Sequence, residues 1–227
     1  MKHRACLMLI FLLMLTLLES ASAEVIESYA ILVNKTSALP SDYEPSDLTR
    51  PDVKYAPGVA ESRKQMRPAA ARALEELFKA AADDGIELLA ISGYRSYWTQ
   101  NDLYKRRLKE TSLEYVSVYV AKPGQSEHQT GLAMDLGCNK NTGLTGSFGD
   151  TPEGKWVAEN CWRFGFIIRY KEEWTDITGY AYEPWHIRYV GAEHARAIYE
   201  ADIPFEYYVE QLRQAQYALM TQEDEAI

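Results

Sequence analysis

The spacing of apolar and polar residues predicts short helices that alternate irregularly with short strands. Between residues 66 and 84, apolar side chains recur at helical spacing and Gly85 follows them, which is typical of an amphipathic helix that ends at a glycine. The next apolar run, from Ile86 to Ile91, predicts a buried strand that ends at Ser92 and Gly93. A charged residue directly after such a strand is well placed to face a cleft.

Further segments of both kinds follow. Helices are predicted over residues 97–110, 111–120, 192–201 and 205–219 and from Pro152 to a stop at Gly165, strands over 166–169 and 185–190 and around Asp135, and a polar surface loop over 139–150. This mixture has no long β-α-β alternation and no glycine-rich phosphate loop, so it favours the α+β fold class. We expect a small antiparallel sheet with helices packed around it.

The first 23 residues have the pattern of a secretory signal peptide. A basic start is followed by the apolar run Ala5–Leu18 and by the small residues Ala21-Ser22-Ala23, which form a cleavage site. The alternative is a membrane anchor, but the run is shorter than the roughly 20 apolar residues that span a bilayer. We therefore expect export, cleavage and no stable membrane anchor afterwards.

The rest of the chain divides into three segments. Residues 24–66 carry four prolines among polar residues and predict an extended arm that packs across the domain, with a flexible linker as the alternative. Residues 67–220 hold the helices and strands of one domain. Residues 221–227 form an acidic tail that we expect to be frayed.

Charge and cysteine content narrow the function further. The formal net charge of −9 argues against a nucleic-acid partner, since phosphate binding needs clustered lysine and arginine. Of the three cysteines, Cys6 leaves with the signal peptide, so Cys138 and Cys161 remain as a pair that an exported protein can oxidise. We predict a disulfide between them. Two separate buried thiols, or additional metal ligands, are the alternatives.

Two fragments carry the residue types of a catalytic metal site. The stretch SEHQTGLAMDLG holds His128 and Asp135 on either side of Gly131, which can adopt backbone angles that other residues avoid. The stretch YEPWH adds His186 and, three residues before it, Glu183. Catalytic zinc sites take three protein ligands and leave the fourth position open. His, Asp and His suit such a site, with one carboxylate left as a base.

These fragments resemble a known family. The patterns Ser126-x-His128-x-x-Gly131-x-Ala133-x-Asp135, Glu183-x-Trp185-His186 and Ser92-Gly93-Tyr94-Arg95-Ser96 are similar, in this order, to those of VanY-type D-alanyl-D-alanine carboxypeptidases, zinc peptidases that act on bacterial cell walls. The resemblance extends from about residue 32 to 191. It implies the same α+β architecture, with residues 67–220 as the catalytic domain. It also implies a Zn²⁺ ion bound by His128, Asp135 and His186 at the end of the sheet.

The resemblance also assigns roles that the residues alone leave open. Asp135 could be the base and Glu183 a ligand, but the family pattern implies the reverse. Arg95 is expected to bind a carboxylate or a developing oxyanion through paired hydrogen bonds. The candidate substrate contacts are Ser126, Gln100, Tyr94 and Trp185.

The expected function is that of an exported zinc carboxypeptidase. It would remove the terminal D-alanine from peptidoglycan stem peptides at the cell wall, in the periplasm or on the extracellular side of a bacterium. An L,D-carboxypeptidase, a dipeptidase for free D-Ala-D-Ala and a non-catalytic cell-wall binding module are the alternatives. Glu183 counts against a binding module, since binding alone needs no base.

Overall fold

The computed structural model describes residues 29–224, so the predicted signal peptide lies outside the described residues. Within 29–224, no helix combines the length and the apolar character needed to cross a membrane. Residues 32–224 belong to one compact unit.

A four-stranded sheet lies at the centre of this unit. Its strands are β1 (Leu89–Ser92), β2 (Ala133–Gly137), β3 (Phe166–Ile168) and β4 (His186–Tyr189), in the order β1-β2-β4-β3. Every neighbouring pair is antiparallel. Mixed helices around a small antiparallel sheet confirm the predicted α+β class.

Apart from the short helix Thr175–Thr178, which was not predicted, the helices begin and end close to the predicted residues. They are α1 (Pro68–Asp83), α2 (Tyr97–Glu110), α3 (Leu113–Tyr119), α4 (Pro152–Asn160), α5 (Thr175–Thr178), α6 (Ala192–Ala201) and α7 (Phe205–Asp224). Side-chain oxygens of Ser96, Ser112 and Thr151 accept backbone N–H groups at the starts of α2, α3 and α4. After α4 the backbone tightens into a 3₁₀ helix, Cys161–Phe164, before Gly165 ends it. Helix α7 continues to Asp224, into the segment predicted as a tail.

The register of the sheet brings the predicted functional strands together. Asp135 of β2 lies opposite His186 of β4 on one side and opposite Ser92 of β1 on the other. His186 is the first residue of β4 and Ser92 the last of β1, so this row of residues lies at one end of both strands. All five residues of β2 are buried.

The arm packs against the domain through short backbone pairings. Thr49 pairs with Met66 in an antiparallel bridge, and Tyr55 pairs with Ala90 of β1 in a parallel bridge. Val33 and Met66 are fully buried. The arm therefore adds apolar surface to the core and covers the free edge of β1, which would otherwise expose unpaired backbone groups.

The predicted disulfide is wrong: Cys138 and Cys161 are separate, buried thiols. Cys138 directly follows β2, whereas Cys161 starts the 3₁₀ helix that packs on β3, and β4 separates those two strands. Burial raises the pKa of the Cys161 thiol to about 12, so the thiol stays neutral.

Gly131 makes the turn between the 3₁₀ helix Glu127–Thr130 and β2. Its backbone is left-handed, with φ +69° and ψ 14°. A Cβ atom at this position would lie 2.8 Å from Leu48 Cδ2 and 3.1 Å from Arg67 Cγ. The left-handed backbone angles and the close approach of Leu48 and Arg67 both require glycine at this position. The chain can therefore turn sharply between His128 in the 3₁₀ helix and Asp135 in β2.

We expect Gly131→Ala to destabilise the protein by at least about 2 kcal/mol, because left-handed strain costs roughly 1–2 kcal/mol and overpacking adds to it. Gly58→Ala is the matched control, since Gly58 has φ +79° but no atom within 4 Å of the added methyl group. Urea unfolding of both variants measures the difference. Equal losses would mean that Leu48 and Arg67 move aside freely.

Candidate metal centre

Three side chains from three segments converge at the end of the sheet. His128 comes from the 3₁₀ helix, Asp135 from β2 and His186 from β4, and all three are buried. Their possible ligand atoms lie within 4.8 Å of one another. His128 Nε2 is 3.2 Å from Asp135 Oδ2, and His186 Nδ1 is 3.0 Å from Asp135 Oδ1. The structure thus brings the predicted metal ligands together around one point.

The second nitrogen of each histidine has its own acceptor. His128 Nδ1 lies 2.8 Å from the carbonyl oxygen of Gly93, and His186 Nε2 lies 3.2 Å from Glu127 Oε2. When these outer nitrogens donate, His128 Nε2 and His186 Nδ1 present lone pairs towards Asp135. Two imidazoles and one carboxylate that face a common point fit the donor set of a catalytic zinc ion.

The charge states of His128 and Asp135 agree with this fit, whereas His186 carries an additional proton. Burial lowers the pKa of His128, so its imidazole is neutral near pH 7. Burial raises the pKa of Asp135, but His128 and His186 outweigh that effect and hold it well below its usual range. Burial also lowers the pKa of His186, yet hydrogen bonds to Asp135 and Glu127 outweigh it and raise the pKa to about 9. Metal binding therefore has to displace a proton from His186.

Glu183 lies at the wall of the same cleft, one turn before β4. The backbone N–H of His186 donates to the Glu183 carbonyl oxygen at 3.1 Å, and the Glu183 N–H donates to Tyr170 at 3.0 Å. These bonds fix the main chain beside the ligands. Burial raises the pKa of the Glu183 carboxyl to about 8, which suits a group that exchanges protons near neutral pH.

Arg95 is buried beside the ligands and is held by polar neighbours. Its Nη1 donates to Gln100 Oε1 at 2.6 Å, its Nη2 donates to Ser92 Oγ at 3.1 Å, and its Nη2 lies 3.8 Å from Asp135 Oδ2. Its Nε has no hydrogen-bond partner within residues 29–224. The backbone N–H of Arg95 donates to the His128 carbonyl oxygen at 3.1 Å, which ties this segment to the ligand loop.

Most of the predicted site residues line one cleft of about 320 Å³. They are Arg95, Gln100, Ser126, His128, Asp135, Glu183, Trp185 and His186. Gln100 is fully buried, and its Nε2 donates to the carbonyl oxygen of Ala121 at 2.6 Å. With its Oε1 on Arg95, Gln100 positions the guanidinium, which differs from the predicted role as a substrate contact.

Tyr94 does not line this cleft. Successive side chains of an extended segment point to opposite sides, so Arg95 faces the cleft and Tyr94 faces away from it. The Tyr94 side chain is buried, and burial followed by the charge of Glu44 in the arm raises its pKa to about 12. The structure therefore places Tyr94 outside the lining of this cleft, unlike the other predicted substrate contacts.

Three charged residues behind the ligands were missed. Glu127 is fully buried, and its Oε1 accepts from Arg169 Nε at 2.8 Å and from Arg188 Nη1 at 2.9 Å. Burial raises the pKa of Glu127, but the two guanidinium groups outweigh that effect and hold it well below its usual range. The sequence signal that could have revealed them was Arg169 at the end of one predicted apolar strand and Arg188 inside the next. Buried arginines need carboxylate partners.

Comparison with known proteins agrees with this architecture and site. The family model VanY, described as D-alanyl-D-alanine carboxypeptidase, matches residues 63–192. YodJ of Bacillus subtilis (strain 168) is 45% identical over 188 residues, which are 82% of this chain and 69% of YodJ.

Two solved structures are similar as well. The LD-carboxypeptidase LdcB has a TM-score of 0.74 and 47% identity, covering 79% of this chain and 84% of LdcB. The vancomycin resistance D,D-pentapeptidase VanY of a VanB-type cassette, solved as a mutant in complex with Zn(II), has a TM-score of 0.66 and 34% identity, covering 80% of this chain and 99% of that one.

The fold and the site define a carboxypeptidase built on a small antiparallel sheet with a His/Asp/His centre. The chain belongs to the VanY family.

The raised pKa of Glu183 predicts how the stability of the metal-free protein depends on pH. Its pKa is about 8 when folded, against an ordinary value of 4.5. Between these values the folded state keeps a proton that the unfolded chain has lost, so this group's contribution to the free energy of unfolding falls as pH rises. The slope is at most about 1.4 kcal/mol per pH unit.

Glu183→Gln removes this contribution. Its stability relative to wild type should therefore increase from pH 4.5 to pH 8 and stay constant above that range. Urea unfolding of both proteins in the presence of a chelator measures this difference. A difference that does not change with pH would show that Glu183 titrates with its ordinary pKa.

Proposed function

We propose that this protein is an exported, zinc-dependent carboxypeptidase that removes a C-terminal D-alanine from peptidoglycan stem peptides. The observation that carries the proposal is the convergence of His128, Asp135 and His186 within 4.8 Å, with Glu183 and Arg95 in the same cleft. Membership of the VanY family and similarity to a VanY structure that contains Zn(II) support the metal and the reaction class. Stem peptides lie outside the cell membrane, which agrees with the signal-peptide pattern of residues 1–23.

The chain's own groups divide the work of peptide hydrolysis. A zinc ion held by His128, Asp135 and His186 would act as a Lewis acid on the scissile carbonyl and lower the pKa of water to about 7. Glu183 accepts a proton from the attacking water and returns it to the leaving amine of D-alanine. Its raised pKa suits both steps, because the carboxyl is neither too weak a base nor too weak an acid.

Arg95 supplies the fixed positive charge. Its planar guanidinium can bind a substrate carboxylate, or the carbonyl oxygen on which negative charge develops, through paired hydrogen bonds. Gln100 and Ser92 hold two of its nitrogens, so the group is oriented before substrate arrives. Ser126 and Trp185 line the same cleft and are the remaining candidates for substrate contact.

The comparisons favour the tetrapeptide stem as substrate. LdcB, an LD-carboxypeptidase, is more similar to this chain than the D,D-pentapeptidase VanY is, at 47% against 34% identity and TM-scores of 0.74 against 0.66. An L,D-carboxypeptidase cleaves the terminal D-alanine from a tetrapeptide. D,D-cleavage of the pentapeptide stem, the activity expected from the sequence resemblance, is the second candidate and is supported by the family description.

Release of D-alanine from tetrapeptide stems, pentapeptide stems and free D-Ala-D-Ala, assayed in parallel with the zinc-loaded protein, tests the proposal. The tetrapeptide should be the best substrate. Preference for the pentapeptide would support D,D-specificity, and preference for the dipeptide a dipeptidase. Tight binding of stems without release of alanine would instead support a cell-wall binding module.

We expect Glu183→Gln and Asp135→Asn to fail in different ways. The glutamine variant should keep zinc and lose at least about 10²-fold in rate, because general-base catalysis contributes that much. The asparagine variant should lose zinc as well, because a ligand is weakened. Metal analysis after dialysis and alanine release measure both properties. Loss of zinc only in Glu183→Gln would reverse the assignment of ligand and base.

A further inference from the structure

The ring of His186 is held at both nitrogens. Nδ1 lies 3.0 Å from Asp135 Oδ1, on the side of the metal ligands, and Nε2 lies 3.2 Å from Glu127 Oε2 on the opposite side. A neutral imidazole carries one proton, so donation from Nε2 to Glu127 leaves the lone pair on Nδ1. The position of Glu127 thus selects which nitrogen can bind a metal.

Glu127 itself is fixed by a group that we call the buried charge cluster, defined as Glu127, Arg169, Arg188 and Glu206. The side chains of Glu127, Arg169 and Arg188 have no exposed surface. Arg169 Nη1 and Nη2 also donate to the two carboxylate oxygens of Glu206, at 3.0 and 2.6 Å. Two carboxylates and two guanidinium groups balance in charge.

The two oxygens of Glu127 have different partners. Oε1 accepts from both arginines, and Oε2 faces His186. The position of Arg188 follows from the strand: His186 and Arg188 are two residues apart in β4 and therefore lie on the same face. The arginines hold one oxygen so that the other is aimed at the imidazole.

We propose that Glu127 is a positioning residue that holds His186 in the tautomer with the proton on Nε2, so that Nδ1 can bind zinc. This inference rests on the proposed function, since it assumes the zinc centre. Glu127 acts through His186 and not on the substrate. Glu206 serves as the internal comparison, because it shares Arg169 with Glu127, whereas its contacts are to Arg169 and Asn34 and not to His186.

The substitution Glu127→Gln should reverse the hydrogen bond to His186. Arginines only donate, so the amide oxygen has to take the place of Oε1 and the NH₂ group is left facing His186 Nε2. Nε2 then has to accept, which moves the imidazole proton to Nδ1. That nitrogen faces Asp135 and the metal, so zinc can bind only after the favoured hydrogen bond is broken.

The test compares the zinc affinities of full-length wild type, Glu127→Gln and Glu206→Gln by chelator competition at one pH. We expect Glu127→Gln to bind zinc about 10- to 100-fold more weakly, the usual effect of losing a group that orients a metal ligand. Glu206→Gln, which also removes one carboxylate from the buried charge cluster, should bind zinc within a few-fold of wild type. Equal affinities in the two variants would overturn the proposal.

NMR of the zinc-loaded proteins labelled with ¹⁵N-histidine gives a second readout. In wild type and Glu206→Gln, the Nε2–H of His186 should show the downfield ¹H shift of a hydrogen bond to a carboxylate. In zinc-loaded Glu127→Gln, Nε2 still carries the proton because zinc occupies Nδ1, but that proton faces the amide NH₂ group, so the downfield shift should be lost. Retention of the downfield shift in Glu127→Gln would contradict the proposal. Should that variant not fold, Glu127→Gln with Arg188→Gln restores the charge balance and leaves Arg169 to orient the amide, so the same two results are expected.

The outcomes separate this inference from the proposed function. Wild type that binds zinc and hydrolyses stems while Glu127→Gln behaves like Glu206→Gln would overturn only the role of Glu127. Wild type that binds no zinc would overturn both proposals.

Discussion

The antiparallel pairing of β2 with β4 is the constraint on which the site depends. It sets Asp135 directly opposite His186, so two of the proposed metal ligands, about fifty residues apart in the chain, meet through strand pairing alone. A slip of one residue would turn His186 to the other face of the sheet. The complete burial of β2 and the short turn at Gly131 make that slip costly, and they fix the third ligand, His128, on the same side.

Buried ion pairs next to His186 are the second factor that fixes the site. Burying a charge is expensive unless it is paired, and this protein buries two arginines and a glutamate directly behind the His186 ring. The two guanidinium groups keep the Glu127 carboxylate ionised. Its Oε2 can therefore accept a hydrogen bond from the ring of His186. The front of the same centre is different: Glu183 has lost water without gaining a comparable partner, and its pKa rises accordingly. The pKa values of Glu127 and Glu183, both close to His186, are thus shifted in opposite directions by their different neighbours.

Local patterns predicted much of this molecule. The start of α4 at Pro152, the whole of α2 and the ligand trio follow from capping residues, apolar spacing and a recognisable motif, all of which are short-range signals. The pairing of Cys138 with Cys161 was wrong because cysteine content says nothing about which strands separate the two residues. The burial of Glu127 depends on Arg169 and Arg188, which are distant in the chain, and the orientation of Gln100 depends on the Ala121 carbonyl beyond the end of α2. A single sequence does not show these contacts.

One further consequence follows from the backbone link between Arg95 and the ligand loop. His128 donates a ring N–H to the Gly93 carbonyl, and the Arg95 N–H donates to the His128 carbonyl, so two hydrogen bonds join the proposed substrate anchor to the proposed metal ligand. A substitution that shifts the backbone of Arg95 would therefore also shift His128. Divergence in substrate preference among such enzymes is therefore expected to accumulate at the rim of the cleft, for example in the segment Gly143–Thr145, where side chains can be exchanged while the hydrolytic centre stays intact.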